Sequence, residues 1–243
     1  MDDAQLKHTT WRSIAAFQRL LGHHPEGELL ERADFVASSV PSSNSSLINA
    51  VVPDHDAAVA PHLDEIAGFY ADIPKWGVWI DPGNTADAGA LHDRGLVLDS
   101  TPVLMAAPVE RVERTPDPRV GRVTLEEIGA VNDAAYGFPS GTFGSALAGI
   151  RPSEVRPYGI RDGDEAVSVA VVQDVDDDAF VTFVATLPSH RGKGLASAVL
   201  SAALHERDAS TTSLQASKLG QSIYARLGYR PLGEIHLYEK RPA

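Results

Sequence analysis

Val184-Ala185-Thr186-Leu187-Pro188-Ser189-His190-Arg191-Gly192-Lys193-Gly194-Leu195-Ala196 decides how this chain is read. An apolar run of strand character stops at Pro188. A short basic, glycine-rich turn follows, and a helical pattern begins at once. A strand, a glycine turn and a helix N-terminus together form a site for phosphate groups. Backbone N–H groups are free there, and the helix dipole favours an anion.

The flanking segments supply a mixed α and β context. Phe180 to Thr186 reads as the strand entering the turn. Before it, Val155 to Ile160 and Ala166 to Val172 read as a hairpin around Asp162-Gly163-Asp164. Thr124 with Glu127 three positions on forms a capping box for a helix that turns Ile128, Val131 and Ala135 inward. Asp174 to Asp178 reads as a solvated acidic turn. After the turn, Leu195, Val199 and Ala202 share a helix face. Thr212 to Gln215 is a strand, Gly220 to Leu227 a short helix and Gly233 to Glu239 the last strand.

The first half follows the same order. Thr10 caps a helix ending at Gly22, with Trp11, Ile14, Phe17 and Leu21 on one face. Ala33 to Val40 and Ser46 to Val52 read as strands, and Pro61 suits the first turn of a helix bearing Leu63, Ile66, Phe69 and Tyr70. Trp76 to Ile80 is a strand. A turn at Asp81 to Asn84 leads into a helix ending near Gly95, and Leu96 to Ala106 is a strand. Val109 to Pro118 breaks both periodicities and reads as a linker. Gly95 can be laid on Gly228 and Pro53 on Pro188, at nearly constant spacing, which suggests duplication.

Composition narrows the classes. The 243 residues allow one large domain or two ordinary ones, and 43% hydrophobic with 22% charged residues is ordinary for a globular protein. No run approaches the ~18 apolar residues of a membrane span, and the start lacks a signal-peptide pattern. With no cysteine, disulfides and thiolate chemistry are excluded, and a cytoplasmic location is expected. The net charge of −12 disfavours nucleic acid as a partner and suits either solubility or a cationic substrate. His23-His24 and His62 make no convincing metal set, so no metal is expected.

Three glycine motifs compete for the turn. A nucleotide P-loop needs a glycine five residues before Gly-Lys and a Ser or Thr after it; Leu187 and Gly194 occupy those places. A dinucleotide fingerprint needs a third small residue where Ser197 stands, and a βαβ context that the apparent antiparallel strands do not give. Arg191-Gly192-Lys193-Gly194-Leu195-Ala196 instead resembles the R/Q-x-x-G-x-G/A acyl-CoA signature of the GCN5-related N-acetyltransferase (GNAT) family. A second block, Ser217 to Tyr229, resembles that family's N-x-x-A-x-x-x-Y-x-x-x-G-F/Y segment. Tyr224, Gly228 and Tyr229 match it, while Ser217 and Gly220 replace the usual Asn and Ala. The resemblance covers roughly residues 120–240.

The resemblance implies an α+β fold, the mixed-sheet acyl-CoA N-acyltransferase (GNAT) fold in two similar halves. It implies acetyl-CoA as co-substrate and acetyl transfer to a primary amine, either a small cationic molecule or a peptide N-terminus. Backbone groups of Val184, Ala185 and Thr186 would bind the pantetheine arm. Arg191, Gly192, Lys193, Gly194, Leu195 and Ala196 would hold the diphosphate, and Ser217 either contacts coenzyme A or only caps the next helix. Tyr224 matches the general acid. The expected general-base positions hold Ala179 and Thr212 instead of carboxylates, leaving Asp174, Tyr136, Glu234, His236 or a water relay. In the first half, Asp56, Val59 and Pro61 replace the signature residues and Leu91 replaces Tyr224. The expected organisation is a degenerate half at 1–108, a linker at 109–119 and a catalytic half at 120–243, as a monomer or homodimer. Alternatives are a non-catalytic acyl-CoA-binding module and an aminoacyl or peptidyl transferase, the latter disfavoured by the acidic balance.

Overall fold

Asp2, not Thr10, starts the first helix. The Asp2 carboxylate accepts the Gln5 N–H while the Gln5 side chain accepts the Asp2 N–H, a capping box that extends the helix eight residues upstream of Thr10. Thr10 lies inside it, buried, with its hydroxyl donating to the Leu6 carbonyl. The computed structural model describes residues 1–151, 153–205 and 208–242. Its first half runs α1 (Asp3–Gly22), β1 (Glu28–Glu31), β2 (Phe35–Ser39), β3 (Ala50–Pro53), α2 (Leu63–Phe69), β4 (Trp76–Ile80), α3 (Thr85–Asp93), β5 (Val97–Ser100) and β6 (Val103–Pro108). The second half opens with an added strand β7 (Val120–Arg122), then α4 (Leu125–Tyr136) and a short added helix α5 (Gly144–Ala148). It continues β8 (Arg156–Asp162), β9 (Glu165–Val175), β10 (Asp178–Thr186), α6 (Leu195–His205), β11 (Thr211–Ala216), α7 (Gln221–Arg226), β12 (Arg230–Glu234) and β13 (His236–Lys240).

Apart from β7 and α5, the two halves repeat one order. The Thr124–Glu127 capping box forms as expected. Two segments read as single strands are each two. Thr101-Pro102 breaks Leu96 to Ala106 into β5 and β6, because Pro102 lacks a ladder N–H. Ile235 divides the last segment into β12 and β13. The expected strand from Ser46 begins only at Ala50, since Ser45 to Asn49 form a turn whose carbonyl at Ser45 accepts from Ile48 and Asn49. The half-buried strand β1 has no counterpart in the sequence reading.

These breaks let the halves trade their last strands. One sheet has the order β1-β2-β3-β4-β13-β5 and the other β12-β6-β11-β10-β9-β8-β7. β6, which precedes the 109–119 segment, lies between β11 and β12 of the second half. β13, from the chain's end, lies between β4 and β5 of the first half. The exchange is reciprocal, and each sheet is interrupted without the other half's strand.

The largest core lies between the sheets and takes in α1 (Trp11, Ile14, Phe17), α4 (Ile128, Val131) and inward residues of both sheets such as Val52, Trp79, Val169 and Phe180. The outer faces carry smaller cores, under α6 and α7 on one side and α2 and α3 on the other. No helix among the described residues is long and apolar enough to cross a membrane.

Candidate active site

The strand that enters the glycine turn leaves its parallel neighbour halfway along. β10 pairs with β11 only from Asp178 to Val181. Beyond that point a bulge between Thr182 and Ala185 shifts its register against β9, and Phe183 takes a left-handed φ of 51°. Ala185 and Thr186 keep their β9 partners, but the edge of residues 182–186 that faces β11 is unpaired. A wedge-shaped gap therefore opens in the middle of the sheet.

A cleft of about 780 Å³ occupies this gap. Tyr224 belongs to the core under α6 and α7, whereas Phe17, Phe143 and Phe180 belong to the core between the sheets, and all four line the cleft. The cleft thus joins the two faces of the sheet. Val184, Ser217 and Tyr224, three of the expected site residues, line it. Ala185 is buried beneath, and Thr186 bonds the Ser168 hydroxyl at 2.8 Å.

The turn itself stands at the entrance to α6. Gly192 and Gly194 have φ of 77° and 73°, the left-handed region that favours glycine. A Cβ on either would meet no atom within 4 Å, so the space above the turn is open. The Arg191 guanidinium folds back onto carbonyls, donating to Thr186 at 3.2 Å and to Ala135 at the end of α4. Lys193 is exposed, Leu195 is buried and Ala196 is half-buried. The conformation suits an anion on backbone N–H groups, with Arg191 bracing the loop.

Tyr224 is 8% exposed, and among the described residues its hydroxyl has no hydrogen-bond partner. Burial, helped by the nearby Tyr136 phenol, raises its pKa far above the usual tyrosine value, so it keeps its proton. Gly220 replaces the alanine of the resembled motif at a point where a Cβ would lie 2.9 Å from the Tyr224 ring. Ala179 and Thr212 are fully buried and are not among the residues lining this cleft. Of the other base candidates only Tyr136 lines it. Asp174 pairs with Arg156, and Glu234 bonds His236 at 3.4 Å.

The first sheet brings charged residues that the sequence reading did not single out. Glu239 on β13 is 2% exposed and accepts from Ser46 at 2.5 Å, Lys75 at 3.1 Å and Arg241 at 2.8 Å. These donors outweigh its burial and hold its carboxyl below the usual range. Asp99 pairs with Arg241 at 3.1 Å. Two amides were missed as well. Asn132, 5% exposed, and Gln215 line the cleft without side-chain hydrogen bonds among the described residues. The available signal for Asn132 was a polar residue within the apolar stripe of its helix.

The equivalent loop of the first half is filled from within. Val59 and Ala60, which align with Gly194 and Leu195, donate their N–H groups to the Asp87 carboxylate, both at 2.9 Å. Asp87 is fully buried and also accepts from Asn84. A side-chain carboxylate thus occupies, in the first half, the amides at the positions that align with the open glycine turn of the second. Asp87→Ala should orphan one buried and one half-buried N–H group and lower stability by about 3 kcal/mol, read as a shifted urea midpoint; an unchanged midpoint would refute the role.

Comparison with known proteins follows the same line. Residues 155–231 match the family model of the acetyltransferase (GNAT) domain. No curated protein matches the chain. Solved structures with the same fold include a GCN5-related N-acetyltransferase from Kribbella flavida, with 20% identity, 96% of each chain covered and a TM-score of 0.68. A putative GNAT-family acetyltransferase from Novosphingobium aromaticivorans shares 16% identity over 96% of each chain, with a TM-score of 0.59. A GCN5-related N-acetyltransferase from Sphaerobacter thermophilus shares 17%, covering 96% of this chain and 94% of its own, with a TM-score of 0.57.

Proposed function

Starting from a chain that carries a GNAT acetyltransferase domain and has the GNAT fold along its length, we propose that it transfers an acetyl group from acetyl-CoA to a primary amine. The observation that carries this reading is the cleft through the sheet, walled by a protonated Tyr224 whose hydroxyl has no partner among the described residues. A binding module without chemistry has no use for that phenol.

Acetyl-CoA, when bound, supplies an acetyl thioester. The open turn from Arg191 to Ala196 would hold its diphosphate on backbone N–H groups at the start of α6. The unpaired edge of Val184, Ala185 and Thr186 would receive the amide-bearing arm as an added strand, with Ser217 on the opposite side of the gap. The amine attacks directly, since the chain has no cysteine for a thioester relay. The new N–C bond forms as the C–S bond breaks. Tyr224 gives its proton to the departing sulfur, and the proton shed by the amine restores the phenol. On this reading residues 120–243 form the catalytic half. Residues 1–108 form a degenerate half that walls the acceptor side and cannot take a second coenzyme because Asp87 fills its cradle.

Titrating the protein with acetyl-CoA in a calorimeter should show one site per chain. Adding amines should then release free thiol. No binding of any acyl-CoA would refute the reading, and binding without thiol release from any amine would favour the non-catalytic module.

A further inference from the structure

The acceptor side of the cleft has a chemistry of its own. Beyond the gap, Phe17 contacts Phe183 at 5.5 Å between ring centroids, Phe183 contacts Phe143 at 5.6 Å, and Phe143 contacts Phe138 at 5.4 Å. Tyr136 extends the row at 6.2 Å. These rings come from α1, α4, β10 and the loop after α4. The Asp133 carboxylate fixes that loop by accepting the N–H groups of Gly141 and Phe143 at 2.9 and 3.2 Å. At the mouth, Tyr136, Phe138, Leu47 and Leu98 are four of the seven most exposed large apolar residues among those described.

The carboxylates along the cleft are already committed. Glu239 is matched by Ser46, Lys75 and Arg241, and Asp99 by Arg241. The net charge of −12 therefore lies elsewhere, and no unpaired carboxylate lines the cleft to draw in a polycation. Among the polar groups on this side that lack a side-chain partner among the described residues are the Asn132 and Gln215 amides. Both residues line the cleft, and among the described residues the buried Gln215 Nε2 has no acceptor. A buried amide without a partner costs stability unless something else bonds it.

We infer that the acceptor is a small amine on an apolar, ring-bearing body, seated along the phenylalanine row with Asn132 and Gln215 bonding its polar end. The inference rests on the acetyl-transfer reading and names its second substrate. Aromatic walls reward a flat apolar body through burial and edge contacts. They reward a hydrated sugar or a multiply charged chain less, because its polar groups would lose water without full replacement.

The test is a panel of 2-phenylethylamine, spermidine and glucosamine, each with saturating acetyl-CoA and thiol release as readout. Phenylethylamine should exceed both others at least tenfold in kcat/KM. Phe138→Ser and Asn132→Leu should each lower its kcat/KM tenfold or more, with acetyl-CoA affinity within twofold and an unchanged melting transition. Spermidine or glucosamine matching phenylethylamine would overturn the inference, as would variants with wild-type kcat/KM. Direct calorimetry of phenylethylamine separates the two levels. If acetyl-CoA fails to bind, the reaction is wrong, yet phenylethylamine should still bind and lose affinity in Phe138→Ser. If acetyl-CoA binds and phenylethylamine does not, the acceptor class is wrong.

Discussion

Ending the chain after Ile235 should unfold both halves, although the deletion removes a single strand. β13 pairs with β4 through five residues and with β5 through three, so its loss cuts the first sheet in the middle. It also removes the buried Leu237 and the Glu239 carboxylate on which Ser46 and Lys75 depend. A buried leucine contributes about 2–3 kcal/mol, and orphaned polar groups cost about 1–3 kcal/mol each. With both ladders lost as well, the sum reaches the ~5–15 kcal/mol that holds a protein folded. The second half follows because β6, which completes its sheet, is anchored in the first. Residues 1–108 alone should be unfolded by circular dichroism. Mixed with residues 109–243 they should regain the full spectrum, each fragment supplying the strand the other lacks. A cooperative melt of either fragment alone would refute the mutual dependence.

Replacing Tyr224 by phenylalanine should lower kcat about 100- to 1,000-fold, within the span of general acid catalysis. Acetyl-CoA affinity should stay within twofold. The ring remains to pack edge-on against Tyr229 at 6.0 Å, and among the described residues the lost hydroxyl had no partner to orphan. Stability should therefore change by less than about 1 kcal/mol. The pH dependence has a definite sign. Burial raises the Tyr224 pKa, so the phenol stays protonated at neutral pH and through its ordinary titration near ~10. Wild-type kcat should show no fall from tyrosine ionisation below about pH 10. Deprotonation above that range favours the unfolded state, where the phenol ionises more readily, so stability should decline as pH rises. A Tyr224→Phe enzyme with wild-type kcat on its best amine would remove the phenol from the reaction.

The strand, turn and helix from Val184 to Ala196 were legible because their signals are local. An apolar run, glycines needing left-handed φ and a following apolar stripe all lie within one window. The Thr124 capping box was legible for the same reason. The Asp2 box was missed because Thr10, beside the first apolar residues, offered a competing cap. The strand exchange could not be read, because periodicity says that Val103 to Pro108 is a strand but not whose sheet it enters. The gap between β10 and β11 was to be expected only from the family resemblance, because where pairing stops is encoded in no single strand. Asn132 and Gln215 look like ordinary polar residues until the chain folds and leaves them unpartnered at the cleft.

Asp87 has a thermodynamic consequence for the whole molecule. By bonding Val59 and Ala60 it acts as a tethered counter-ion, present at the same effective concentration whatever the cell contains. The matching loop at Gly192 and Gly194 has only open space above it, so its ordering should rise and fall with coenzyme supply by mass action. On the proposed reading, one copy of the fold is in effect permanently liganded and the other conditionally so. Because the copies share strands, the permanently liganded one keeps the other folded while its cradle stands open.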